Sequence, residues 1–191
     1  MKKWIINQLA LLQYHVDKLQ VKRELGSLRC LSGVSIDESA IIGKNSKFEV
    51  SKGVKKISIK SGFSCRKFCN FLVCPGASLI VGEDIFFNNY CSINCISEIE
   101  LGANTIFGEG VRIYDHDHKY EFNESLKIER NEFTIAPIKI GKNCWIGSNV
   151  TILKGVTIGD NVIIGANCLI YKSIPANSIV KHQESLIIEA K

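Results

Sequence analysis

The sequence predicts an all-β solenoid, a three-sided prism of short strands stacked coil upon coil, and three observations predict it. From Ile140 an aliphatic residue recurs at every sixth position: Ile140, Ile146, Ile152, Ile158, Ile164 and Ile170. A second position keeps the same phase at Cys144, Val150, Val156, Val162, Cys168 and Ile174. Glycine follows the first position at 141, 147, 159 and 165. A period of six is neither the 3.6 of an amphipathic helix nor the 2 of a half-exposed strand. It suits a flat strand that turns one residue inward and then rounds a corner, where Gly, Asn and Asp tolerate the backbone angles required. Each coil then takes about 18 residues and buries its apolar face only against neighbouring coils, so stability is shared along the stack.

The chain begins differently. Over residues 1–28, Ile5, Leu9, Leu12, Val16 and Leu19 are spaced four and three apart, which places them on one face of a helix. That helix is expected to pack on the solenoid. Its basic character also suits a membrane surface beside a lipid-linked substrate, or contact with another subunit. The solenoid runs over 34–180. Its first half repeats weakly, through Ile36 and Ile42, then Val81, Phe87 and Ile93, then Leu101, Phe107 and Ile113 after a two-residue slip.

Between Ile113 and Ile140 the rhythm lapses, which predicts one projecting loop over 114–139, and loops on a rigid scaffold are where function concentrates. This loop opens with Asp115, His116, Asp117 and His118. In extended backbone the two histidines share a face and the two aspartates the other. Residues 181–191 form a tail outside the repeat.

Composition narrows the classes. The chain has 191 residues and a net charge of +5, of which +3 falls in residues 1–25, so the repeat region lacks the basic face of a nucleic-acid binder. Eight cysteines occur without zinc-finger spacing in a chain long enough to fold without disulfides. They are expected to be reduced packing residues in a cytoplasmic protein. Asn7 and Gln8 interrupt the apolar start, and no stretch reaches membrane-spanning length. Aromatic residues are only 8% of the chain, in keeping with a narrow prism that has little room for rings. Trp145 is accordingly expected on the outside.

The run Ile140–Ile170 resembles the hexapeptide-repeat acyltransferases, and most of all the sugar O-acetyltransferases of the maltose/galactoside and polysaccharide-biosynthesis kind. The resemblance extends over roughly 34–180. It implies a left-handed parallel β-helix, although period six does not itself reveal the hand. It also implies acetyl-CoA as co-substrate, no required metal, a sugar hydroxyl as acceptor and surface polysaccharide biosynthesis as the setting.

A histidine at the start of the projecting loop is the general base in that family. An ungapped comparison puts His118 there, and a gap of two puts His116 there. The same comparison lands Asn88 on an acceptor-site asparagine. Trp145 and Ser148, in Asn-Cys-Trp-Ile-Gly-Ser, match the family's W-I-G-x motif, with the tryptophan beside the pocket and the serine beside the pantetheine arm. Ala166 and Lys172 fall at coenzyme-contacting positions. Pro175-Ala-Asn-Ser-Ile-Val180 fits the family's closing motif, whereas 181–186 departs from it, which leaves the hold on the nucleotide end open. Family members are homotrimers with sites between subunits.

Two other readings use the same scaffold: N-acetylation of an amino-sugar or antibiotic, and a non-catalytic binding solenoid. A zinc carbonic anhydrase would need three histidines. Beyond the loop pair the chain offers only His15 and His182, both poorly placed.

Overall fold

The computed structural model describes residues 25–182. Most of the expected N-terminal helix and the tail beyond residue 182 therefore lie outside the described residues. Of that helix, 25–29 are described as helical, with Leu25 buried and Leu28 packed partly against the core. Beyond them the chain winds into the expected left-handed parallel β-helix.

Three parallel sheets form the walls. The first runs from Val34–Ile36 to Thr157–Ile158 and has six strands; the second runs from Ile41–Ile42 to Ile179–Val180 and has seven; the third runs from Lys47–Val50 to Leu169–Ile170 and has six. Each strand pairs with its counterpart one coil away, and successive segments visit the three sheets in turn.

The sixfold period is explained by burial. Ile140, Ile146, Ile152, Ile158, Ile164 and Ile170 all point inward, as do Cys144, Val150, Val156, Val162 and Cys168. The corner between the first and second sheets places a residue in the left-handed region, and Asn104, Asn143, Asn161 and Asn177 supply it with φ between 56° and 60°. Their side-chain amides bond to one another at 2.9–3.3 Å, a ladder that ties coil to coil. The glycine beside the corner answers to crowding. A Cβ on Gly102 would lie 2.4 Å from the Gly141 carbonyl carbon in the next coil, so only glycine lets the two coils approach.

Two expectations need correction. Coils are not uniformly 18 residues long. Val34 pairs with Ile57, 23 positions on, and Asn70 with Ser92, 22 positions on, whereas Thr151 pairs with Leu169, 18 positions on. The early coils are longer because strands such as Lys47–Val50 and Asn70–Val73 span four residues. Nor does the prism exclude rings. Phe63, Phe71, Phe87 and Phe107 are fully buried inside it. Phe87 lies 4.2 Å from Phe107 in a 6° stack and 5.3 Å from Phe71 edge-on. The longer coils enclose the extra width that the rings need.

All eight cysteines are free thiols; six are buried, Cys74 is half-buried and Cys30 is exposed. Several donate to corner carbonyls, Cys69 to Asn88 O and Cys91 to Gly108 O, both at 3.0 Å. Burial pushes the Cys95 thiol up, and the nearby Asp115 charge adds to it, so this thiol stays protonated and unreactive.

Candidate active site

The lapse in the repeat is a β-hairpin and not an irregular loop. After Arg112–Tyr114 the chain leaves the third sheet and runs out along His116–Phe122. It returns antiparallel along Leu126–Ile135 and enters the first sheet at Ile138–Ile140. His116 pairs with Ile135 and His118 with Phe133, with the register shifting between His118 and Tyr120.

Asp115 fixes the root of this hairpin. It is fully buried, and its carboxylate accepts from the backbone N–H groups of Ile96 at 2.9 Å and Ser97 at 2.7 Å. His116 Nδ1 lies 3.1 Å from the same carboxylate, and Ala136 N–H donates to the Asp115 carbonyl at 3.0 Å. A buried carboxylate is tolerable only when its oxygens are satisfied in this way. The sequence alone put Asp115 on the face opposite the histidines; at the hairpin root the chain turns, and carboxylate and imidazole meet. Beyond the root, Asp117 makes an ion pair with Lys154 one coil away.

Both histidine rings lie on Phe133, His116 edge-on at 5.2 Å between centroids and His118 tilted at 4.8 Å. They share a face, as strand alternation requires. They differ in access: the His116 side chain is 17% exposed, whereas His118 is exposed outright. His118 Nδ1 lies 3.2 Å from the Glu129 carbonyl. A carbonyl can only accept, so Nδ1 carries the hydrogen, and in the neutral ring the lone pair then falls on Nε2.

The remaining residues gather elsewhere. Asn88, Ser148 and Ala166 stand at the corner where the second sheet passes into the third, following Phe86–Phe87, Trp145–Ile146 and Ile163–Ile164. Asn88 N–H donates to Phe107 O, and its side-chain oxygen accepts from Asn89 N–H, both at 2.9 Å. Trp145 is exposed on the outer face of the second sheet, paired with Ile106 and Ile163. Lys172 is exposed past the end of the third sheet, its ammonium 5.6 Å from the Tyr171 ring.

The hairpin histidines thus leave the third sheet at one edge, while Asn88, Ser148 and Ala166 occupy its other edge. Within one chain the two groups are not brought together. Sequence reading missed Phe133, which seats both imidazoles, and the anchoring role of Asp115. An aspartate immediately before a histidine, at the point where the repeat stops, was the available signal for the latter.

Replacing Asp115 with asparagine should lower the melting temperature by several degrees, since one oxygen of a buried carboxylate that accepts from two backbone N–H groups is lost, at a cost of about 1–3 kcal/mol. Limited proteolysis checks the site of damage: the first new cleavages should fall within 116–135, and cuts elsewhere would remove the anchoring role.

Residues 137–172 match the family described as bacterial transferase hexapeptide (six repeats). Over 117 residues the chain is 27% identical to WbbJ of Escherichia coli K12, provisionally named a lipopolysaccharide biosynthesis O-acetyl transferase. The match covers 58% of this chain and 60% of that one. Over 83 residues it is 32% identical to nodulation protein L of Rhizobium meliloti, 42% of each chain. The chain therefore spans less than two thirds of the length of these relatives. Among solved structures it is similar to the hexapeptide-repeat acetyltransferase VCA0836 of Vibrio cholerae, crystallised with acetyl coenzyme A. The TM-score is 0.51 at 21% identity, covering 84% of this chain and 71% of that one, a likeness of fold.

Proposed function

We propose that the chain, whose residues 137–172 match the hexapeptide-repeat transferases, is an acetyl-CoA-dependent O-acetyltransferase acting on a sugar hydroxyl, with His118 as general base. The observation that carries the reading is the His118–Glu129 contact, which holds the hydrogen on Nδ1 and so makes Nε2 the basic nitrogen of the neutral ring, on an accessible side chain. Acetyl-CoA supplies the activated acetyl group as a thioester. His118 Nε2 takes the proton of the acceptor hydroxyl as its oxygen bonds to the thioester carbonyl carbon. The C–S bond then breaks, and the same imidazole returns the proton to the departing sulfur, so ester and free thiol form with the proton balanced. Asn88 is suited to hydrogen-bond the acceptor or the developing oxyanion.

The corner carrying Ser148 and Ala166 suits the coenzyme. Gly108, Gly147 and Gly165 stack there, so no large side chain obstructs an extended pantetheine arm. Lys172 is a charge partner for its phosphates. Because the histidines and this corner lie at opposite edges of one sheet, the reading includes a trimer in which the hairpin of one subunit faces the coenzyme corner of the next. An apolar stripe on the outer face of the second sheet supports such packing. Ile41, Ile106, Trp145, Ile163 and Ile179 are all exposed along it, as are Tyr120, Phe122, Leu126 and Ile128 on the hairpin.

The test is release of free CoA thiol from acetyl-CoA across neutral and charged sugar acceptors, with the product identified as ester or amide. Light scattering on the same preparation should give three times the 21.3 kDa chain mass. Absence of acceptor-dependent thiol release would sink the catalytic reading. An amide product would replace O-transfer by N-transfer, and a monomer would remove the shared site.

A further inference from the structure

In the early coils, the corner between the second and third sheets holds an open cleft of about 660 Å³, lined by Lys44, Arg66, Lys67, Phe68, Asn89 and Tyr90. Phe68 and Tyr90 both adopt φ of 60°, in a column where the other coils place Asn45, Gly110, Asn149 and Asn167. A bulky aromatic in the left-handed region is a strained backbone position that glycine or asparagine would fill at less cost. Burial does not offset that cost, because Phe68 is 45% and Tyr90 56% exposed. The two rings stack on each other, 5.1 Å between centroids and 4° from parallel, as a flat ledge open to solvent. The fold itself would be better served by asparagine at both positions.

The charge beside the ledge is one-sided. Arg66 is held with its guanidinium 5.7 Å from the Phe86 ring centroid. Lys67 follows it in sequence, Lys44 occupies the same corner one coil earlier, and no carboxylate lines the cleft. The nearest acid in this column, Glu109, accepts from the Asn89 side chain at 3.2 Å. The upper rim is Asn89, whose side-chain oxygen accepts from Lys67 N–H at 3.3 Å and whose chain neighbour is Asn88. The cleft therefore opens directly beside the asparagine assigned above to the acceptor.

We propose that this cleft is the acceptor subsite, and that the acceptor is an acidic sugar, with its ring on the Phe68–Tyr90 ledge and its anionic group held by Arg66 and Lys67. An aromatic plane suits the apolar face of a pyranose, and the planar guanidinium fork suits a carboxylate or a phosphate, both of which it engages bidentately. The link to Asn88 rests on the acetyl-transfer reading; the ligand class rests on the cleft alone.

The experiment titrates the full chain with sodium glucuronate, glucose 1-phosphate and uncharged methyl glucoside, read by calorimetry, alongside a separate titration with coenzyme A. At least one anionic sugar should bind tenfold or more tightly than methyl glucoside, and raised salt should weaken it. Whichever of glucuronate and glucose 1-phosphate prevails separates a carboxylate from a phosphate acceptor. R66Q/K67Q should lose that preference. F68N/Y90N should weaken both anionic sugars while raising the melting temperature, since asparagine relieves the backbone. Equal binding of all three sugars, or of none, overturns the proposal. So does a fall in oligomer mass in F68N/Y90N with sugar binding unchanged, which would make the ledge a subunit contact. Loss of coenzyme binding with acidic-sugar binding intact would instead overturn the acetyl-transfer reading and leave this subsite standing.

Discussion

Replacing His118 with alanine should reduce acetyl transfer by about 10²–10⁴-fold, the range a positioned general base contributes, while coenzyme binding and the melting temperature stay at wild-type values. The structural reason to expect no loss of fold is that His118 is exposed and its one hydrogen bond reaches a hairpin carbonyl. His116→Ala is the control with the opposite signature. It leaves the buried Asp115 carboxylate without one of its three partners and takes away the edge-on contact with Phe133, so it should lower the melting temperature first and the rate through that damage. The measurement is steady-state thiol release paired with a thermal melt for each variant. If His118→Ala keeps its rate and His116→Ala loses its rate with an unchanged melt, the base is His116. In that case the Asp115 carboxylate orients the catalytic imidazole.

The largest expected effect on stability is at Phe87. This ring is fully buried between Phe107 and Phe71, and truncating it to alanine should cost about 3–5 kcal/mol. For a chain of this size that corresponds to a fall in Tm of roughly 6–20 °C. The damage should spread, because in a stack each coil is held only by its neighbours and a void at Phe87 uncouples the coils on either side. Phe87→Leu fills much of the space and should cost less. A thermal melt of both variants settles the point: a fall under about 3 °C for the alanine variant would mean the coils do not depend on the ring ladder. Asn88 follows Phe87 directly, so the alanine variant should also weaken whatever depends on that corner.

The legibility of the chain tracks its regularity. The coils from Ile140 onward were readable because each six-residue segment carries one inward aliphatic residue at a fixed interval, and every one of those side chains is buried. The first half was faint for two physical reasons. Its four-residue strands stretch the interval to 22 or 23 positions, and phenylalanine stands at inward positions such as 63, 71 and 87, where the pattern looks for Ile or Val. The hairpin could be located but not described. Its strands are exposed on both faces, so no burial imprints an alternation on the sequence. Corner chemistry was legible wherever Asn or Gly filled the left-handed position and illegible at Phe68 and Tyr90, where the residue contradicts the backbone it adopts. The contact of Asp115 with His116 depends on the turn at the hairpin root, which no linear spacing encodes.

The shortening of the coils has a consequence for how such a molecule can be lengthened or rebuilt. The prism tapers, from a circumference of 23 residues near Val34 to 18 near Thr151. At the narrow end, adjacent turns are interchangeable units: a second copy of one would meet matching glycines, asparagines and isoleucines above and below. At the wide end each turn is fitted to the rings it surrounds, and a narrow turn spliced between Phe71 and Phe87 would leave them no room. The molecule is modular toward one terminus and bespoke toward the other, and the hairpin emerges where the two regimes meet.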